Sequence, residues 1–395
     1  MSVLCGLVLV GASGLGAEQP NVEALDTFNY AVGTQTIGPK YGTAEKTRLI
    51  ETAEAIREMG SNLIKISVSP RYAKQYGIPE REGVASPVDL VRDEPSYRAV
   101  LDMPFAHYLI WVYGFPTIHW RDGLSPVEWH QTYTQMRELS CYLLEHYNDS
   151  GKTFLLGHWE GDWSLLGHYD LGRDPEPEAI EGMVSWLNVR QQAVEDARRE
   201  TPHTNVGLYH YAEVNLLQKA IEGKETVANN VLPRCPVDFV SYSAWDSISM
   251  AEGGEAMRKR LHAALDHIES KLAPKNIFGK RVFIGEYGFP LQQVKSPETQ
   301  ARHSVAVARA ALEWGCPYVL YWQMYCNEAK EGGADARGFW LIDNKGEKQP
   351  LYDDLQRFLG RGRDFVAGYK AEKGRAPAFD AYREKAVEWL APAGE

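Results

Sequence analysis

The sequence is poor in cysteine and has no surplus of positive charge. Its five cysteines form no CxxC pair and show no close spacing to histidine, which argues against a structural zinc site. The formal net charge is −11, so neither a nucleic acid nor an anionic membrane, which would need a basic face, is expected as a partner. Beyond the N-terminal leader, no stretch is long and apolar enough to cross a membrane.

Two further absences narrow the classes of enzyme. No GxGxxG motif follows the first predicted strand, which disfavours the competing arrangement, an open doubly wound sheet with a nucleotide site. That strand also lacks an HxH motif, and the histidines are scattered, so a metal-dependent hydrolase ranks lowest among the possible functions. We therefore expect the protein to need neither a metal nor another cofactor.

The N-terminal leader, residues 1–17, is apolar or small in character and carries no charge, and Glu18-Gln19-Pro20 follows it. This pattern is typical of a secretory signal peptide and predicts a secreted or periplasmic protein. No lysine or arginine lies near Met1, which departs from that pattern. The alternative interpretation is a buried N-terminal strand.

The rest of the chain alternates between strand-like and helix-like segments. Its hydrophobic fraction of 44% and charged fraction of 24% are typical of a folded protein. Eight such units in succession predict a single parallel (β/α)8 TIM barrel over residues 18–360, with residues 361–395 as a helical extension packed on its outside. The predicted strands are residues 28–34, 62–68, 107–113, 153–158, 205–211, 238–243, 281–290 and 318–323.

Strand seven carries a carboxylate at its end. The apolar run Val282-Phe-Ile continues into Gly285-Glu286-Tyr287-Gly288, and strand four ends in Trp159-Glu160-Gly161-Asp162-Trp163. A carboxylate at the end of a buried strand is costly unless it is paired or used, because ionised groups avoid a low dielectric. Both stretches are therefore candidates for a functional site.

In a barrel of this kind, the carboxyl ends of the strands form the active-site face. A face with several carboxylates and many aromatic side chains, in a chain with 11 tryptophans, suits a carbohydrate substrate. Glycoside hydrolysis needs one carboxyl group to protonate the leaving oxygen and a second to attack or to activate water. The candidate residues at the strand ends are Arg71, Tyr113, His158, Trp159, Glu160, Asp162, Tyr211, Glu213, Tyr242, Trp245, Glu286, Tyr287 and Trp322.

These motifs resemble those of the clan A glycoside hydrolases, a superfamily of retaining (β/α)8 enzymes. Gly285-Glu286-Tyr287-Gly288 is similar to the clan's nucleophile strand, and Glu160 stands at the end of strand four, where the clan has its acid/base. The resemblance implies that Glu286 is the nucleophile and Glu160 the acid/base. It also implies that Trp322 forms the floor of the sugar subsite and that Tyr242 hydrogen-bonds the nucleophile.

One position departs from the clan. Most members have asparagine immediately before the acid/base, at the sugar's 2-hydroxyl, and here that residue is Trp159. Either this protein recognises the sugar's 2-position in a different way, or the register of strand four differs from the one predicted. Asp162 is then the rival acid, and Glu213 a further one, whereas a structural role is favoured for His158. A barrel that binds glycans without catalysis remains an alternative function.

The leader generates the first prediction. We expect the mature protein to begin near Glu18, because a signal peptidase would remove the uncharged apolar segment on export. N-terminal sequencing of the protein from its native host measures this directly. Soluble cytosolic protein that retains Met1 would contradict it.

Overall fold

Eight parallel strands close into a barrel in the order of the chain, which confirms the predicted fold class. The computed structural model describes residues 27–42, 44–328 and 336–391, so the predicted leader lies outside the described residues. The strands are β1 (Val32–Gln35), β2 (Leu63–Val68), β3 (His107–Val112), β4 (Thr153–Gly157), β5 (Gly207–Val214), β6 (Phe239–Ser243), β7 (Val282–Tyr287) and β8 (Val319–Tyr321).

Helices connect consecutive strands and cover the outside of the barrel. Proline at the first turn begins six of the longer ones, where its missing N–H has no partner to lose. The α-helices are Arg48–Glu58, Tyr72–Tyr76, Pro87–Asp93, Pro95–Asp102, Pro126–His146, Gly161–Leu166, Pro177–Glu200, Leu217–Ile221, Gly254–Ser270, Leu291–Val294, Pro297–Trp314, Pro350–Lys373 and Phe379–Trp389, with a π-helical turn at Val227–Val231 and a 3-10 turn at Leu232–Arg234.

The strands are apolar on both faces, because one face points into the barrel and the other packs on the helices. Side chains alternate between two separate clusters along each strand. The outer cluster, against the helices, includes Ile64, Ile110, Leu156, Val240 and Ile284. The inner cluster, which fills the barrel, includes Leu63, Leu109, Leu155, Phe239 and Phe283.

Several strands end at residues other than those predicted, and two of these differences bear on the site. β4 ends at Gly157, and a helix begins at Gly161, so the extended chain expected through His158 stops early. β5 continues to Val214, beyond the predicted Tyr211, which places Glu213 within the strand. Both differences decide which side chains reach the active-site face.

The end of the described chain packs against its beginning. The final helix, Phe379–Trp389, buries Tyr382, whose hydroxyl donates a hydrogen bond of 3.1 Å to the carbonyl oxygen of Tyr30. The ring of Tyr382 also contacts the rings of Phe28 and Tyr30 at centroid distances of 5.1 and 5.9 Å. This helix therefore holds the segment that leads into β1.

Two general features concern the described residues alone. None of the helices within residues 27–42, 44–328 and 336–391 has the length and apolar character needed to span a membrane. In these same ranges Cys141, Cys235, Cys316 and Cys326 are all free thiols.

Gly157 allows a close packing that can be tested. A Cβ atom at this position would lie 2.2 Å from the ring of Tyr211, inside the barrel. We expect Gly157→Ala to lower the free energy of unfolding by about 1–3 kcal/mol through overpacking, measured by urea unfolding.

The matched control is Gly368→Ala, at an exposed helical position where an added Cβ meets nothing within 4 Å. Because alanine favours a helix over glycine, this change should raise the same free energy by about 0.5–1 kcal/mol. Equal effects of the two substitutions would show that Tyr211 does not occupy the space beside Gly157.

Candidate active site

A cleft of about 940 Å³ opens at the carboxyl ends of the strands. Its walls carry two acidic side chains from strand ends together with many aromatic ones, the mixture found in sites that bind sugars. The predicted residues that line it are Arg71, Tyr113, Trp159, Glu160, Trp245, Glu286 and Trp322, and the other lining residues include Trp111, Trp163, Tyr169, Glu328, Arg337 and Phe339.

Glu286 reaches the cleft because β7 has an irregular register. Tyr242 on β6 pairs with Ile284, but the next residue, Ser243, pairs with Glu286, so Gly285 is an extra residue in the ladder. Such a bulge re-aims the side chains that follow it. Gly285 fits because an added Cβ would lie only 1.8 Å from the Ser241 hydroxyl oxygen. The bulge thus turns Glu286 towards the barrel axis.

Glu160 lies where β4 gives way to the helix Gly161–Leu166. Its backbone has left the extended conformation and forms the N-terminal boundary of that helix. The backbone N–H of Glu160 donates a 2.9 Å hydrogen bond to Oε1 of Glu213, which anchors this turn to the neighbouring strand. The buried carboxyl group of Glu160 lines the cleft with that of Glu286.

A buried cation lies beneath the two cleft carboxylates. The ammonium group of Lys65, on β2, is 3.2 Å from Oε2 of Glu213 and 3.3 Å from Oε1 of Glu286. It also donates to the carbonyl oxygen of Gly285 at 3.2 Å and lies 4.1 Å from the ring centroid of Trp111. A fully buried ammonium is tolerated only with such partners.

Burial raises the pKa of both cleft carboxyl groups, but their neighbours separate them. For Glu160, burial raises the pKa well above its ordinary value, and the charges of Glu286 and Glu213 add to this effect. For Glu286, burial raises the pKa to about 8, and Lys65 opposes the rise. The side chain of Trp245, which also lines the cleft, lowers both pKa values. Glu160 therefore keeps its proton to a higher pH than Glu286 does.

Aromatic rings form the walls of the cleft. Trp322 is mostly buried, lies 6.3 Å from Trp111 between ring centroids, and donates from Nε1 to Glu328 at 2.9 Å. Trp245 packs edge-on against Phe339 with centroids 5.5 Å apart. These contacts fix the rings and leave apolar faces available to a ligand.

A second aromatic group lies on the segment that follows Glu160. Trp163 and Tyr169 both line the cleft, with ring centroids 5.2 Å apart, and Tyr169 is 74% exposed. Because they follow Glu160 in the chain, they extend the wall of the cleft from the turn that carries this carboxyl group.

Six of the predicted residues do not line the cleft, and three of them, Tyr242, Asp162 and His158, are held by other partners. The Tyr242 hydroxyl donates to Asp246, so this hydroxyl is engaged there and not with Glu286. Asp162 is buried, and its carboxylate accepts three backbone N–H bonds, from residues 215, 216 and 227. His158 accepts the N–H of Glu213 at Nε2 (3.3 Å), and its Nδ1 lies 3.1 Å from a carbonyl oxygen.

The early end of β4 explains these positions. His158, Glu160 and Asp162 would share one orientation only in an extended chain. Because the chain turns into a helix at Gly161, Glu160 enters the cleft, whereas His158 and Asp162 become partners of β5 and of the segment after it. Burial lowers the pKa of His158 to about 4, so this imidazole is neutral near pH 7.

Two predicted tyrosines and Glu213 are also buried. Tyr211 lies inside the barrel, with its ring 5.5 Å from that of Phe283. Tyr287 faces outwards, 5.7 Å from Tyr321. At the rim, by contrast, the Tyr113 hydroxyl accepts the N–H of Trp159 at 3.0 Å, and Arg71 is exposed.

The sequence analysis missed Lys65 as part of the site. The sequence did contain a signal, because this lysine interrupts the apolar run of β2. It lies two residues after Leu63, so both side chains point into the barrel. A charged residue at an inward position of a buried strand needs an acidic partner. That partner, however, comes from strands distant in the sequence.

No site for a metal ion is formed by the described part of the chain. Within residues 27–42, 44–328 and 336–391, no group of three or more histidine, cysteine, aspartate or glutamate side chains is arranged to hold one. The chemistry discussed below uses the chain's own side chains.

Comparison with known structures finds other proteins with a similar fold. The GH5_18 protein from Streptomyces cattleya in complex with Manb1-4GlcNAc is similar with a TM-score of 0.57 at 14% identity, over 84% of this chain and 80% of that one. The GH5_18 protein from Bifidobacterium longum subsp. longum ATCC 55813 gives 0.55 at 14% identity, over 89% and 81%. A family 5 xyloglucanase from Paenibacillus pabuli gives 0.50 at 14% identity, over 86% and 100%.

The similar structures are glycoside hydrolases of clan A, the superfamily whose motifs the sequence resembles, and they include a family 39 enzyme from Bacteroides cellulosilyticus WH2. No protein-family model matches the chain, and no curated protein matches it. At about 14% identity, the structural similarity shows that the fold is shared.

The raised pKa of Glu160 makes a prediction about stability. Its folded pKa lies above its unfolded value near 4.5, so above that pH the unfolded state binds fewer protons and stability falls as pH rises towards the folded pKa. Glu160→Gln removes the carboxyl group whose ionisation causes this loss of stability. We therefore expect the variant to gain stability relative to wild type between pH 5 and pH 7, measured by urea unfolding at both values.

The exposed Glu384 provides the control. Glu384→Gln should change stability by the same amount at pH 5 and at pH 7. A pH-independent difference for Glu160→Gln as well would show that the Glu160 carboxyl group titrates as an ordinary exposed acid.

Proposed function

We propose that the protein is a glycoside hydrolase that cleaves O-glycosidic bonds of an oligo- or polysaccharide with retention of anomeric configuration. The observation that carries this proposal is the pair of buried carboxyl groups, Glu160 and Glu286, in one cleft lined by aromatic side chains. A double displacement needs two such groups about 5–5.5 Å apart, on either side of the scissile bond.

The charges around the pair assign their roles. Glu286 is in contact with the Lys65 ammonium group, which favours its ionised form and suits a nucleophile. Within the part of the chain that the structure describes, Glu160 forms no ion pair, and the negative charges of Glu286 and Glu213 favour its protonated form, which suits a general acid. Their different surroundings thus separate the pKa values of the two carboxyl groups.

The reaction then follows two steps. Glu286 attacks the anomeric carbon while Glu160 gives its proton to the leaving oxygen, so that a covalent glycosyl-enzyme forms and the first sugar or aglycone departs. Glu160, now ionised, takes a proton from water, whose oxygen attacks the anomeric carbon and releases Glu286. The two inversions together retain the configuration.

The aromatic walls support a carbohydrate substrate. Trp322 presents a ring in the cleft and would form the floor of the subsite for the sugar attacked by Glu286. Several structures of the same fold, described above, are of carbohydrate-active proteins, and one contains Manb1-4GlcNAc. Trp159 occupies the position where the clan has asparagine, so this chain would recognise the 2-position of the sugar with other groups.

We also propose that the protein acts outside the cytoplasm. The uncharged apolar residues 3–17 and the polar residues that follow them support export. A polysaccharide is too large to enter most cells, and an exported hydrolase would meet it directly.

Azide rescue tests the assignment of the two glutamates. In a panel of aryl glycosides, Glu286→Ala should abolish turnover. Glu160→Ala should slow release of the glycosyl-enzyme, and added azide should restore part of the rate by attacking the intermediate directly. The product, measured by NMR, should be a glycosyl azide with the configuration of the substrate.

The matched control is Asp162→Ala, because Asp162 is a buried carboxylate from the same turn that does not line the cleft. Azide should leave its rate unchanged. Rescue of Asp162→Ala and not of Glu160→Ala would overturn the assignment, and a glycosyl azide of inverted configuration from Glu160→Ala would overturn the double displacement. A folded wild-type protein that binds glycans but cleaves none of the panel would favour the non-catalytic alternative.

A further inference from the structure

Glu213 is a third buried carboxylate at the centre of the barrel, directly beside the proposed catalytic pair. It is fully buried and does not line the cleft. Its Oε1 accepts the backbone N–H of Glu160 (2.9 Å) and the Ser243 hydroxyl (3.1 Å), and its Oε2 accepts the Ser241 hydroxyl (2.8 Å), the Lys65 ammonium (3.2 Å) and the Trp111 indole N–H (3.4 Å).

Five donors occupy the acceptor positions of this carboxylate. A carboxylate offers about four lone-pair sites, so Glu213 has none left for a substrate hydroxyl group. The donors come from β2, β3, β6 and the turn after β4, which means that one side chain joins elements distributed around the barrel. This arrangement is unsuited to the role of rival acid that the sequence allowed for Glu213.

The same carboxylate is connected to both proposed catalytic groups. One oxygen holds the backbone of Glu160, and the other holds the Lys65 ammonium, which in turn contacts Oε1 of Glu286 at 3.3 Å. We propose that Glu213 is a positioning residue that fixes the acid/base through its backbone and divides the charge of Lys65 between itself and the nucleophile. This inference rests on the proposed function of Glu160 and Glu286.

The charge of Glu213 should act on both groups in the same direction. Negative charge on Glu213 raises the pKa of Glu160 and that of Glu286, whereas Lys65 lowers both. The ionisable groups that face this cluster from the packed strands and turns are Lys65 on β2, Tyr113 after β3, Glu160 and His158 after β4, Tyr211 and Glu213 on β5, and Glu286 on β7.

Opposite substitutions should therefore move the pH profile in opposite directions. Glu213→Gln removes a negative charge, so Lys65 is paired with Glu286 alone and the pKa values of both catalytic groups fall. Both limbs of the kcat/KM profile should therefore move to lower pH, by about 1 unit. Lys65→Met removes the positive charge and should move both limbs to higher pH by a similar amount. Because the amide has only one acceptor oxygen for these donors, Glu213→Gln should also weaken the anchor on Glu160 and lower kcat/KM at the optimum about tenfold.

The measurement is the pH dependence of kcat/KM for the aryl glycoside that wild type cleaves best, with circular dichroism to verify folding. Lys65→Arg, which keeps the charge, should leave the profile near its wild-type position. Asp246→Asn is the control carboxylate, because Asp246 is bonded to Tyr242 and to the N–H of Gln218 and to neither proposed catalytic group. It should leave the position of the profile unchanged.

A second measurement does not depend on turnover. Carbon-13 NMR of protein labelled at the glutamate Cδ follows the titration of Glu286, whose signal is identified by its absence in Glu286→Gln. The midpoint of that titration should fall in Glu213→Gln and rise in Lys65→Met. This arm also separates the two proposals, because it reports on the charges even if wild type cleaves no glycoside.

Shifts in the same direction, or no shift in folded variants, would overturn the role of Glu213. If Glu213→Gln does not fold, Lys65→Met decides alone, and an unchanged profile and NMR midpoint in that variant refute the inference. Failure of every glycoside in the panel, with the expected NMR shifts present, would instead refute the proposed function and leave the charge relation between Lys65 and Glu213 established.

Discussion

The ammonium group of Lys65 is the constraint around which the active-site face is arranged. It is fully buried, and its positive charge is tolerated because Glu213 and Glu286 both lie within 3.3 Å. Removing one member of such a cluster leaves an uncompensated charge in a low dielectric. The cluster therefore joins β2, β5 and β7 through side chains whose charges must stay together.

Local irregularities bring the reactive groups to this cluster. The register shift at Gly285 turns Glu286 inwards, and the early end of β4 releases Glu160 from the alternation of the strand. Phe283 points into the barrel, and Glu286 lies three residues further along β7. In a perfectly regular strand, alternation would therefore place Glu286 on the outer face, among the helices. Regular strands supply rigidity here, and departures from regularity supply the geometry of the site.

The sequence predicted the barrel well, because eight alternating apolar segments are a strong periodic signal. It also brought Glu160 and Glu286 to one face, since parallel strands end together. It could not show that the chain turns into a helix after Glu160, which separates this residue from Asp162, because that turn depends on bonds to Glu213 and to residues beyond β5. The inward lysine of β2 is visible in the sequence, but its partner Glu213 lies more than 140 residues away, so no local pattern predicts the pairing.

The packing of the last helix on the first strand has a consequence for biosynthesis. Tyr382 holds the backbone of Tyr30, and β8 pairs with β1, so the first strand obtains its final partners from residues more than 280 positions later. During translation, β1 must therefore wait for nearly all of the chain to leave the ribosome before the barrel can close. The edge of β1 that pairs with β8 would remain open throughout that interval, which makes it a natural target for a chaperone.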